Sequence, residues 1–246
     1  MNVIDWKSET DFLLKGVKFK CVLSDFEKYN TTADEIIIVK DRPAIEIYQA
    51  VFEKTPPQQV MEFGTYQGGS PALLTLLFNL QKYVGIDLGP QVPGFEDFLS
   101  KHPDGRKISM YNSTSQDDGE AIRSIVHKEF GDTPIDLIID DASHQYNFSR
   151  RTFEIAFPLL RPGGTYILED WGWAHWPGYL GWQDAPALSN LVFQLTILNA
   201  SHSEIIQEMR TFPVILIIKK SDSPGSNEEL CLDNLIGERG RHLNLI

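Results

Sequence analysis

From about residue 58 onward, short apolar runs alternate with stretches of helical period, the pattern of a parallel sheet covered on both faces. Residues 59–63, 83–87, 108–112, 135–140 and 165–169 read as buried strands, and 204–208 and 214–219 add two more. Helices are expected over 71–80, 95–100, 119–130, 148–160 and 187–199, the fourth of them stopped by Arg161-Pro162-Gly163-Gly164. Only Met209 to Pro213 separates the last two strands. That is too short for a parallel crossover, so they pair as an antiparallel hairpin. The expected fold class is α/β: a doubly wound, mostly parallel seven-stranded sheet with an antiparallel terminal hairpin and an N-terminal extension.

Residues 1–57 do not follow the alternation. They hold expected strands at 17–23 and 36–39 and a helix at 43–52, and can serve as a lid, a substrate wall or a contact in a homo-oligomer. The main domain is expected over 58–220, with a polar, Gly-containing tail over 221–246 that ends in the weakly apolar His242 to Ile246.

Composition narrows the function classes. A chain of 246 residues with 42% hydrophobic and 23% charged residues has the makeup of an ordinary globular protein. Its net charge of −12, with no basic cluster interleaved with aromatics, argues against a nucleic-acid partner. No apolar run is long enough for a membrane span, and the first residues do not read as a secretory leader, so a cytoplasmic location is expected. Cys21 and Cys231 form no CxxC pair or disulfide framework.

Two acidic clusters carry the chemistry. Ile138-Ile139-Asp140-Asp141-Ala142-Ser143-His144 and Tyr166-Ile167-Leu168-Glu169-Asp170-Trp171 each place carboxylates where a predicted strand leaves the sheet. In open α/β sheets ligands bind at those carboxyl ends. Several carboxylates gathered there repel one another unless a hard cation sits among them, and Mg²⁺ or Ca²⁺ takes such oxygen ligands.

A third motif lies at the first strand. Val60-Met61-Glu62-Phe63-Gly64-Thr65-Tyr66-Gln67-Gly68-Gly69-Ser70 follows a strand and opens a helix, and Asp87 closes the next strand at a spacing that suits one βαβ step. The pattern ExGxxxGGS with its following acid resembles motif I of class I S-adenosylmethionine-dependent methyltransferases. Asp-Asp-x-Ser-His and Glu-Asp after the fourth and fifth strands are similar to the macrocin O-methyltransferase and cephalosporin-hydroxylase-like group, which includes metal-dependent sugar O-methyltransferases. The resemblance covers roughly Gln58 to Lys219.

That resemblance implies S-adenosylmethionine and Mg²⁺ as cofactors. It implies Asp141, Glu169 and Asp170 as metal ligands, with His144 as general base beside Asp141. It places Glu62, Gly64, Tyr66, Gly68, Gly69, Ser70 and Asp87 at the cofactor. Ser115, after the third strand, is the expected adenine contact; Asp140 is counted with the cofactor site and is the acid expected to be structural. Trp171, Trp173, His175 and Trp176, with Trp182, form an aromatic loop suited either to a sugar or planar acceptor or to shielding the site from water. The expected activity is Mg²⁺-dependent methyl transfer to a hydroxyl of a small secondary metabolite or its sugar. The competing readings are a non-catalytic, methyltransferase-like accessory subunit and an NAD-dependent oxidoreductase, the latter disfavoured by the glycine spacing and the terminal hairpin.

Overall fold

The computed structural model describes residues 1–178, 185–223 and 228–237. By backbone packing the chain divides into two compact units, 1–114 and 115–246. Trp182 and the apolar end at 242–246 lie outside the described residues.

The first unit begins with a four-stranded sheet in the order β1 (Asp5–Trp6), β2 (Asp11–Leu14), β3 (Val17–Cys21), β4 (Ile36–Ile38). The first three strands run antiparallel, and β3 pairs with β4 in parallel. Phe12 and Phe19 stack at 4.8 Å to give this sheet its buried face. Helix α1 (Arg42–Val51) follows, capped by the Asp41 carboxylate accepting from the Ala44 amide. Strands β5 (Gln59–Phe63), β6 (Lys82–Ile86) and β7 (Ile108–Tyr111) then pair in parallel, linked by helices α2 (Gly69–Phe78) and α3 (Pro93–Lys101). Every residue of α2 is buried, in keeping with a sequence that is apolar on nearly every side.

In the second unit, helix α4 (Gly119–Phe130) leads to β8 (Ile135–Asp140), and helix α5 (Tyr146–Ala156) leads to β9 (Leu160–Glu169), which pairs in parallel with β8. Helix α6 (Ser189–Ser201) precedes β10 (Ile206–Thr211) and β11 (Ile215–Lys220), and a short helix α7 (Leu232–Leu235) follows. β10 and β11 form the expected antiparallel hairpin, and β11 lies antiparallel to β9. The seven strands stand in the order β10-β11-β9-β8-β5-β6-β7, the mostly parallel, doubly wound sheet anticipated from the sequence. Phe153, Phe157 and Tyr166 pack ring against ring between α5 and β9.

Two details depart from expectation. The fourth main-sheet helix ends at Ala156, passing into a 3₁₀ turn at Phe157–Leu159, and Arg161-Pro162-Gly163-Gly164 belongs to β9. The register jumps from Ile135 opposite Leu160 to Leu137 opposite Thr165, so these residues bulge out of the ladder. Gly163, at φ +68°, makes that bulge. The tail, for which the sequence pattern named no element, contains α7, whose Leu232 is fully buried.

Candidate functional site

The glycine loop of the first unit is held by its own acid. Asp87 Oδ2 accepts from the Thr65 amide at 2.7 Å, the Tyr66 amide at 2.9 Å and the Thr65 hydroxyl at 3.1 Å; Oδ1 accepts from the Gly89 amide at 2.7 Å. A carboxylate offers about four lone-pair positions. Oδ2 is therefore saturated, and the acceptor capacity left for a ligand lies on Oδ1. Glu62 is fully buried at the next-to-last position of β5, where Oε2 accepts from the Ser70 hydroxyl at 2.7 Å.

The backbone of this loop turns through left-handed positions at Gly64 (φ +81°), Tyr66 (φ +47°) and Gly68 (φ +84°). A Cβ at Gly68 would lie 2.3 Å from the Phe95 ring, and one at Gly69 2.4 Å from the Ile37 carbonyl. These two glycines are therefore required by packing against α3 and β4 as well as by any ligand. Tyr66 remains half-exposed. Gln67 was not singled out by sequence, yet it ties the loop to the N-terminal extension. Its Oε1 accepts from the Thr31 amide, and its Nε2 donates to the Tyr29 carbonyl at 2.9 Å.

In the second unit β8 and β9 end side by side and deliver the two acidic clusters. Asp141 and His144 lie on the turn between β8 and α5, and Asp170 lies just beyond β9. His144 Nε2 stands 4.0 Å from Asp141 Oδ1 and 3.8 Å from Asp170 Oδ2. One donor atom from each of the three residues lies within 4.8 Å of the others, and all three side chains are partly exposed. His144 and Asp170 both adopt left-handed backbone, φ +54° and +51°. Such conformations are uncommon for residues other than glycine and gather at functional sites.

Glu169 is 5% exposed and is not one of the three residues that converge. Successive residues of a strand point to opposite faces, so the two neighbouring acids part. The left-handed turn at Asp170 then carries its carboxylate toward His144. The hairpin holds that turn: the Asp170 amide donates to the Val214 carbonyl at 2.7 Å, and the Trp171 indole N–H to the Phe212 carbonyl at 3.0 Å.

Asp140 is buried at the end of β8. Gln116 Nε2 donates to its Oδ1 at 3.1 Å and the Tyr166 hydroxyl to its Oδ2 at 3.4 Å. Burial pushes its carboxyl above the ordinary carboxylate range. Gln116, next to the Ser115 that the sequence favoured, reaches the acidic turn with its other end, where Oε1 accepts from the Ser143 amide at 3.0 Å. Ser115 bonds Asp117, forming part of a local turn. In the aromatic loop Trp173 is buried and its indole N–H donates to the His144 carbonyl at 3.1 Å. His175 Nε2 lies 2.7 Å from the Ser189 hydroxyl, and Trp176 is exposed.

Residues 61–171 match the model of the methyltransferase domain family. The chain carries a methyltransferase domain. Among curated relatives, L-olivosyl-oleandolide 3-O-methyltransferase of Streptomyces antibioticus is 41% identical over 88 residues, 36% of this chain and 22% of that protein. Mycinamicin VI 2''-O-methyltransferase of Micromonospora griseorubida is 36% identical over 94 residues, 38% of this chain and 23% of that protein. The matched stretches thus span less than a quarter of either relative. Among solved structures, the MycE methyltransferase from the mycinamycin biosynthetic pathway, in complex with Mg and SAH, aligns at TM-score 0.55 and 25% identity, covering 74% of this chain and 50% of that one.

The methyltransferase domain has a donor set that fits a small hard cation. Asp141 and Asp170 supply carboxylate oxygens facing one another across an imidazole, with exposure enough for a cation to keep several waters, as Mg²⁺ does. It also has a glycine turn shaped by left-handed residues and closed by Asp87, which fits close approach of a nucleoside cofactor.

Proposed function

We propose that this protein transfers the methyl group of S-adenosylmethionine to a hydroxyl of a small secondary metabolite or its sugar, assisted by Mg²⁺. The convergence of Asp141, Asp170 and His144 carries this reading. The methyltransferase domain and the sugar O-methyltransferase relatives support it. Glu62, Gly64, Tyr66, Gly68, Gly69, Ser70 and Asp87 would hold the cofactor. Asp141 and Asp170 would hold Mg²⁺, while Glu169, buried apart from them, is not among the residues that converge.

The chemistry asks for a deprotonated nucleophile, because the cofactor already brings an activated methyl group and a good leaving group. His144 Nε2, held between Asp141 and Asp170, would accept the acceptor's hydroxyl proton. S-adenosylmethionine, when bound, would supply the methyl group to the hydroxyl oxygen that His144 deprotonates, its sulfur departing as a neutral thioether. Bound Mg²⁺ supplies stabilisation of the charge developing on that oxygen and orients neighbouring hydroxyls. Trp176 offers an exposed ring against which an acceptor can stack.

The test is calorimetric titration of S-adenosylmethionine and then Mg²⁺ into wild type and Asp141→Asn, followed by measurement of S-adenosylhomocysteine formed with L-olivosyl-oleandolide or mycinamicin VI. Saturable binding of both, loss of the metal heat in the variant and chelator-sensitive product formation are expected. Binding of neither cofactor nor metal would overturn the reading.

A further inference from the structure

We infer that Trp173 is a positioning residue for His144, an inference that rests on the proposed role of His144 as the base. His144 sits in left-handed backbone at φ +54°, a conformation uncommon for a side-chain-bearing residue and offset here by contacts around it. The turn therefore needs anchors on both sides of the histidine, and two side chains supply them. On the N-terminal side Gln116 Oε1 accepts from the Ser143 amide at 3.0 Å, while Gln116 Nε2 is itself held by Asp140 Oδ1 at 3.1 Å and Thr152 Oγ1 at 2.8 Å. At the histidine itself the Trp173 indole N–H donates to the main-chain carbonyl at 3.1 Å.

The indole is well placed for this work. Trp173 is 5% exposed, so it offers no broad face to an acceptor, and its single polar atom is spent on the His144 carbonyl. The backbone carrying it is also pinned. It follows Gly172, where a Cβ would lie 3.0 Å from the Pro213 carbonyl, and Asp170 and Trp171, both bonded to the hairpin turn. Asp170 and Trp173 thus leave the same short segment, one facing the His144 ring and the other gripping its backbone. Trp173 sets the rotation of the turn, and the turn sets the direction of the imidazole between Asp141 and Asp170.

The experiment compares Trp173→Phe, which keeps aromatic bulk and loses the N–H, with Trp173→His, which restores a ring N–H. The readouts are amide hydrogen exchange at Ser143 and Gln145 and, with mycinamicin VI and L-olivosyl-oleandolide as acceptors, the separate values of kcat and of KM for S-adenosylmethionine. For Trp173→Phe, exchange at those two amides should rise about tenfold, the equivalent of one hydrogen bond. Its kcat should fall at least tenfold with KM for S-adenosylmethionine unchanged, and Trp173→His should recover part of both. Exchange unchanged in Trp173→Phe, or Phe and His variants that behave alike, would overturn the inference. Should the Phe variant not fold, the wild-type indole proton decides: exchange slowed at least a hundredfold relative to a free indole supports the bond, and free exchange overturns it. Failure of the underlying reading shows separately, as His144→Ala transferring methyl groups at the wild-type rate while the exchange effect persists.

Discussion

The glycine loop of the first unit and the acidic turn of the second are built on opposite principles. In the loop, residues named by the motif also satisfy one another: Asp87 takes up loop amides, Glu62 takes up Ser70, and Gly68 and Gly69 give way to neighbouring atoms. In the turn, two carboxylates and an imidazole face one another at distances too long for hydrogen bonds, and two of the three residues sit in left-handed backbone. Damage to the loop should therefore be visible as lost stability together with lost cofactor binding. Damage to the turn should be visible in function alone.

The largest expected effect tests the second half of that contrast. Asp141→Asn removes a charge from a like-charged cluster, so thermal stability should hold or rise. Metal affinity and turnover should both fall, by at least about a hundredfold for a lost ligand given that even outer-shell partners of a metal are worth 10–100-fold. Calorimetry, melting curves and rate measurements on one preparation decide it. A variant that melts much earlier than wild type would break the contrast.

Gly68→Ala comes next. The new Cβ meets the Phe95 ring in a left-handed position that alanine rarely adopts, and the cost should be about 2–3 kcal/mol in denaturant unfolding. Cofactor affinity should fall in parallel, because the same turn opens α2. Asp87→Asn sharpens the point at lower cost. The loop amides keep an acceptor but lose the charge that strengthens their bonds, for about 1–2 kcal/mol of stability. A loss of cofactor binding with no loss of stability would mean that Asp87 serves the ligand and not the loop.

How much of this was legible in the sequence follows the same divide. Strands β5 and β8 were placed to the residue because each is a short, mainly apolar run ended by a turn or an acid. The hairpin of β10 and β11 followed from the length of its connection. Strands β1 and β2 were missed, since β1 has only two residues and β2, Asp-Phe-Leu-Leu, does not alternate apolar with polar positions. Arg161 to Gly164 read as a helix stop because Pro and Gly punctuate both helices and bulges, and only the pairing with β8 distinguishes them. At the site, the pattern named the acids but could not tell how Glu169 and Asp170 diverge, because that depends on one left-handed residue. Gln67, Gln116 and the inward-facing Trp173 act through contacts with residues distant in sequence, and no local spacing announces them.

The smallest effect is a control on whether buried charge elsewhere in the second unit behaves like the acidic turn. Lys220, at the end of β11, is 7% exposed, and burial pulls its ammonium down to about 8. Its Nζ donates to the Pro158 and Leu160 carbonyls, both at 2.6 Å, and these bonds favour the charged form and offset part of the burial cost. In the unfolded chain the lysine titrates near its ordinary value of 10.5. Between about 8 and 10.5 the unfolded state therefore binds more protons than the folded state, so this residue's contribution to stability rises with pH across that window and is flat below it. Subtracting the stability of Lys220→Met from that of wild type cancels the other titrating groups. The difference should climb by about 1–2 kcal/mol from pH 8 to 10.5, at the low end of what such a shift allows. Methyl transfer near pH 7.5 should be unaffected, because Lys220 bonds the start of β9 and the acidic turn leaves its far end. A loss of metal binding in Lys220→Met would mean that charge buried at one end of this sheet is felt at the other, and that the acidic turn is not the independent element the contrast requires.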